Sequence, residues 1–163
     1  MTKHFLPSYR IRFAIRVPLF VFLLLPGAVF YLSGNHVHAG SAENDLTARG
    51  KLVYDRFCSL CHGKNLQGQS DWRTRKPNGK LPAPPHDETG HTWHHPDKML
   101  FDITKYGLVP PNAPENYKTD MPAWGDTLKD EDIWAVIAYI KSRWSEDIRE
   151  RQKEVNRASL KNR

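Results

Sequence analysis

Cys58-Ser59-Leu60-Cys61-His62 sets two thiols three positions apart and an imidazole directly after the second. On one turn of helix both thiols can reach the two vinyl groups of a single porphyrin and form thioethers. The histidine that follows then points its imidazole at the iron. C-x-x-C-H is the attachment signature of c-type haem for this reason. A redox dithiol of the thioredoxin type is the competing chemistry. It wants a βαβ setting, which the flanking sequence lacks, and it has no use for a histidine at that place. Cys58 and Cys61 are the only two cysteines, so one haem consumes both. No disulfide framework and no four-cysteine zinc site can be built.

Haem iron has a second axial position, and a thioether there favours the ferrous state and raises the potential into the electron-carrier range. The chain has three methionines. Met1 is terminal, and Met99 falls at a helical position in an apolar run and reads as core. Met121, in Met121-Pro122-Ala123-Trp124-Gly125, lies in a loop locked by the following proline and is the candidate distal ligand.

Four of the eight histidines, His86, His91, His94 and His95, fall within ten residues. Neutral imidazole binds copper, zinc or nickel well, so the cluster is a candidate second metal site, although no carboxylate or thiolate partner stands out. One of the four could also replace Met121 on the iron, which would lower the potential. The plainest alternative is a Pro-rich loop at the haem edge, with Trp93 against the porphyrin and His95 at the entry of the next helix.

Helices must hold these residues in place. Asp45 to Phe57 reads as a helix with Leu46, Val53, Tyr54 and Phe57 on its apolar side and Asp45 or Thr47 as cap. Gly50 inside it costs about 1 kcal/mol relative to alanine, which makes sense if another helix crosses there. Lys129 to Trp144 is the clearest helix. Ile133, Val136 or Ile137, Ile140 and Trp144 recur at its period, and acidic residues 130–132 sit where the helix dipole wants them. Asp126, Thr127 or Asp130 is the expected cap. Pro96 to Tyr106 reads as a middle helix with Met99, Leu100, Ile103 and Tyr106 facing inward. Residues 64–85 are polar and punctuated by glycine and proline, hence loop. Their Arg73, Arg75, Lys76 and Lys80 form either a docking patch for an acidic partner or a solvated face.

The 163 residues give one domain of ordinary size plus an appendage. The mean hydropathy of −0.63 excludes a polytopic membrane protein. The formal charge of +6 is concentrated at the start: Lys3, Arg10, Arg12 and Arg16 precede residue 40 with no acidic residue among them, leaving +2 for the rest. A nucleic-acid binder keeps its basic stripe in the folded part, so no nucleic-acid partner is expected. Residues 17–42 carry no Asp, Glu, Lys or Arg, and residues 17–32 are almost wholly apolar. This is the pattern of a secretory signal cleaved after Ala39, or of an uncleaved membrane anchor. Either way the domain is exported. Beyond Trp144 the charges alternate, and residues 146–163 read as a solvent-facing helical extension or tail that frays.

Together these pieces resemble the class I cytochrome c family over residues 45–144, most specifically in Cys58–His62 and next in Met121-Pro122. The resemblance implies an all-α, cytochrome c-like fold with three main helices and long loops around one covalently bound haem c. In that family the first and last helices cross, a glycine meeting an aromatic, and Gly50 and Tyr139 occupy those places. A proline carbonyl should hold the other N–H of the proximal imidazole, with Pro82, Pro84 and Pro85 competing for the role.

The expected organisation is a signal peptide or anchor at 1–39, a cytochrome c domain at 40–145 and the charged extension. The expected function is single-electron transfer rather than catalysis, with His62 and Met121 filling both iron positions. It would take place in the periplasm or on the outer face of the cytoplasmic membrane, between redox proteins that the sequence does not identify. Two other functions are consistent with the residues. One is a haem subunit of a membrane-bound oxidoreductase, held by residues 17–32. The other is a metal-handling or ligand-sensing haem protein that works through His86, His91, His94 and His95.

Overall fold

Two helices cross where Gly50 removes a side chain from between them. The computed structural model describes residues 39–161, so the expected signal or anchor lies outside the described residues. Helix α1 spans Ala39–Val53 and α4 spans Asp130–Ser142. A Cβ on Gly50 would lie 2.0 Å from the Ala135 carbonyl oxygen and 2.8 Å from Tyr139 Cβ. The expected meeting with Tyr139 is therefore present, but the tightest approach is to the backbone one turn earlier. Rings of Tyr54 and Tyr139 meet just beyond the crossing, 5.5 Å between centroids, and Arg49 pairs with Asp132 at its rim.

α1 runs on through a π-helical turn at Tyr54–Cys58 into α2, Ser59–His62. The first turns of α1, residues 40–46, are exposed, Leu46 among them, whereas Val53 and Tyr54 are buried. Thr47, expected as a cap, lies inside the helix. Its hydroxyl donates back to the carbonyls of Glu43 and Asn44, both at 3.0 Å, as mid-helix threonines do.

Helix α3, Asp97–Tyr106, starts one residue later than its expected limit because Pro96 is extended (ψ 151°). Its buried residue is Phe101, stacked on Trp134 of α4 at 4.6 Å. Tyr106, expected inward, is 55% exposed. At about 100° per residue the two lie roughly 140° apart around the helix, so both cannot face α4. Met99, Leu100 and Ile103 are half-buried. On α4, Ile133, Val136, Ile137 and Ile140 are all buried, with Trp144 just past its end. Each such side chain contributes roughly 1.5–3 kcal/mol by leaving water. No side chain caps α4: residue 129 is extended, and its carbonyl accepts from the amides of Asp132 and Ile133. The acidic first turn, residues 130–132, suits the dipole, and two of its carboxylates also pair across elements, Asp130 with Lys105 and Asp132 with Arg49.

The C-terminal segment, expected to fray, is placed as a docked helix as far as residue 161. Glu146–Lys161 is a regular helix, α5, and Gln152 on it is fully buried. Asp97 at the start of α3 gathers the bonds that hold it. Its carboxylate accepts from Lys141 Nζ at 2.7 Å, Gln152 Nε2 at 2.7 Å and Asn156 Nδ2 at 3.0 Å, while its own N–H donates to Asn156 Oδ1. Gln152 also donates to the His95 carbonyl. Every polar atom in this knot has a partner, which lets a helix of low apolar content dock. Asp97→Ala strands these donors and should cost about 2 kcal/mol in urea denaturation. Limited proteolysis should then cut within residues 146–161 first. An unchanged cleavage pattern would mean that the knot does not hold α5. Among the described residues all regular structure is helical, and no helix is long and apolar enough to cross a membrane.

Candidate haem-binding site

The π-helical turn aims the motif. One extra residue in a helical turn rotates everything after it by about 100°, and such turns concentrate at functional sites. Tyr54 opens the turn and closes over it: fully buried, it donates its hydroxyl to the Gly63 carbonyl at 2.8 Å. The first residue of the turn is thereby fastened to the one that ends α2, and Gly63 leaves the helix with φ +80°. Cys58 is half-buried, Cys61 exposed and His62 buried. The Cys58 thiol is pushed up to about 12, first by burial and then by neighbouring Cys61. Redox dithiols work through a depressed pKa. Burial moves the Cys58 thiol in the opposite direction.

His62 Nδ1 donates to the Pro84 carbonyl at 2.8 Å, which settles the choice among Pro82, Pro84 and Pro85. Two short stretches of backbone bring that carbonyl in. His86 N–H donates to Leu66 O at 2.7 Å and Gln69 N–H to Ala83 O at 2.9 Å, while Gly68 N–H caps the His62 carbonyl at 2.8 Å. The approach is close enough that a Cβ on Gly68 would sit 2.5 Å from Pro85 N and 2.7 Å from Pro84 C. On the other side a Cβ on Gly90 would sit 2.1 Å from the Pro85 carbonyl oxygen. Burial lowers the His62 pKa more than the Pro84 bond raises it, so the ring is neutral. With the proton on Nδ1, Nε2 is left as a lone-pair donor to a metal.

Met121 is half-buried, and its N–H donates to Thr119 Oγ1 at 2.9 Å. The residues after it are bolted to the end of α3: Trp124 N–H donates to Thr104 O at 3.0 Å and Gly125 N–H to Lys105 O at 2.9 Å. The Trp124 ring meets Phe57 edge-on at 5.4 Å. Phe57 directly precedes Cys58, so the methionine loop is tied to the same helix that carries the thiols.

The four clustered histidines do not converge on one point. His86 lies flat on His62, ring centroids 3.9 Å apart and planes 20° apart. Its ring lies against the face of the His62 ring, which does not suit it to share with His62 a group that His62 Nε2 would hold. His91 stacks on Trp72 and meets His95 edge-on, each at 5.3 Å, while His94 stacks on Trp93 at 3.6 Å. Loss of water lowers the pKa of His91 and of His95. Among the described residues no three His, Cys, Asp or Glu side chains come together as a metal cage. In the basic loop Arg73 covers the Trp72 ring, Arg75 covers Tyr117 and donates to Gly79 O, and Lys80 pairs with Asp120.

Sequence reasoning missed three parts of this site. The Tyr54–Gly63 bond and the glycines that admit Pro84 carry no motif of their own. His86 was visible only as one member of a cluster. Its place directly after the Pro84-Pro85 pair, within reach of a buried ligand, was the available signal.

Two thiols on one helix, a neutral imidazole with its Nε2 free and a thioether loop tied to the same helix are a donor set that fits haem c. The fold and the site define a class I c-type cytochrome domain. The chain belongs to the family described as cytochrome C oxidase, cbb3-type, subunit III, whose model matches residues 45–140, more than half its length. No curated protein and no solved structure matches it significantly.

Proposed function

We propose that this domain passes single electrons through one haem c, attached to Cys58 and Cys61, with His62 and Met121 as axial ligands. When bound, the haem supplies a one-electron couple between ferric and ferrous iron. The His62–Pro84 bond is the observation that carries the reading, because it fixes the imidazole in the tautomer that a metal needs. Filling both axial positions leaves no site for substrate, which favours transfer over catalysis. We place the domain outside the cytoplasmic membrane, delivered there by residues 1–39.

The red-region absorption of the oxidised, haem-loaded protein tests the ligand pair. A weak sulfur-to-iron charge-transfer band is expected at neutral pH and should vanish in Met121→Ala. Its absence from the native protein removes Met121 from the iron. The family favours a second reading, in which the domain is the haem subunit of a membrane-bound oxidase rather than a free carrier. Under that reading it co-migrates with an oxidase complex in detergent-solubilised membranes. As a free carrier with a small net charge it would meet partners at about 10⁵–10⁶ M⁻¹s⁻¹, with little response to salt.

A further inference from the structure

The structure assigns His86 a role that neither the motif nor the family match supplies: it fixes the plane of the His62 ring. This rests on the proposal that His62 is the proximal ligand. A hydrogen bond to Nδ1 pins one point of an imidazole, and the ring can still rock about the line through that point. A second flat ring laid against its face removes this freedom. The Pro84 carbonyl supplies the first constraint at 2.8 Å, and the His86 ring supplies the second at 3.9 Å and 20°.

His86 is itself held from three directions, which distinguishes a platform from a chance contact. Its N–H donates to Leu66 O at 2.7 Å, in the loop that follows the motif. Its carbonyl accepts from Trp144 Nε1 at 2.8 Å, at the end of α4. Its ring Nδ1 lies 2.8 Å from Thr92 Oγ1, on the 3₁₀ turn Thr92–His94. Thr92 is buried, and its hydroxyl reaches the Pro85 carbonyl at 3.5 Å. Backbone and ring of His86 are therefore set by different elements, and none of these bonds depends on His62. His86 acts through the ring of His62. It is a positioning residue.

Low-spin ferric haem reports the orientation of its axial imidazole through the g-values of its electron paramagnetic resonance spectrum. Their spread reports how uniform that orientation is. Holoprotein carrying His86→Ala should show a shifted and broadened high-g feature. His86→Phe keeps a flat ring in place but lacks the Nδ1 bond to Thr92, so a width between those of His86→Ala and the native protein is expected. Thr92→Val leaves the stack but frees its outer edge, so an intermediate width is expected.

A His86→Ala spectrum that superimposes on the native one overturns the proposal, as does His86→Phe disturbing the spectrum as much as His86→Ala. Should His86→Ala fail to fold, Thr92→Val and His86→Phe decide by the same criterion. His62→Ala separates this from the reading beneath it. If it retains the native low-spin spectrum, His62 is not the ligand and both fall. If it loses that spectrum while His86→Ala does not change it, the role of His86 alone is wrong.

Discussion

Gly50→Ala is expected to destabilise the domain by about 3 kcal/mol, the upper end of the range for overpacking a filled interior. The new methyl would start 2.0 Å from a backbone oxygen and 2.6 Å from its carbon at Ala135. Backbone cannot rotate aside as a side chain can, so α1 and α4 must separate and drag the Tyr54–Tyr139 contact with them. Better helix propensity returns at most about 1 kcal/mol. Gly40→Ala is the matched control: it lies on the same helix with nothing within 4 Å of its added Cβ. That change should be neutral or slightly stabilising. Urea denaturation of both variants checks the pair, and equal midpoints would mean that the helices do not cross at Gly50.

Gly68→Ala should cost a similar amount, about 3 kcal/mol, from two sources. A left-handed backbone (φ +68°) penalises a side chain by roughly 1–2 kcal/mol. The added methyl also collides with the Pro84–Pro85 backbone. Moving that segment lengthens the His62–Pro84 bond, and an imidazole that loses an acceptor on Nδ1 becomes a weaker donor to its metal. The reduction potential of the haem-loaded protein should therefore rise. Gly79→Ala separates the two sources. It has φ +81° but meets only the flexible side chain of Lys118. Its stability should fall by the strain alone, and its potential should not move. A Gly68→Ala protein with an unchanged potential would show that Pro84 does not tune the iron.

What the sequence disclosed was whatever local chemistry or period could announce. Cys58-x-x-Cys61-His62 needs its residues consecutive. The buried stripe on α4 needs a period of 3.6, and a glycine such as Gly50 stands out because it is costly within a helix. The rest depends on partners far along the chain. Three prolines were equivalent until the pairing of residues 66–69 with 83–86 presented one carbonyl to His62. The docking of α5 was hidden because polar side chains carry it, through bonds to residues 55 or more positions away. Helix register decided between Phe101 and Tyr106, and the identity of those residues did not, since both are aromatic. The π-helical turn has no composition signature. It is defined by backbone bonds five residues apart, such as Ser59 N–H to Tyr54 O, and Tyr54 is fastened beyond it to the Gly63 carbonyl.

The contacts from Trp144 to His86, from Ser145 N–H to the Glu88 carboxylate and from Gln152 to His95 share one property. Each joins the loop that follows the Pro84 carbonyl to the segment running from the end of α4 into α5. The loop that presents Pro84 to His62 and the segment from Trp144 into α5 are thus tied to each other at three places. A chain cut before Trp144 would keep both thiols and His62 while losing all three of these ties. The setting of the His62 ring therefore depends on residues far along the chain from the motif that contains it.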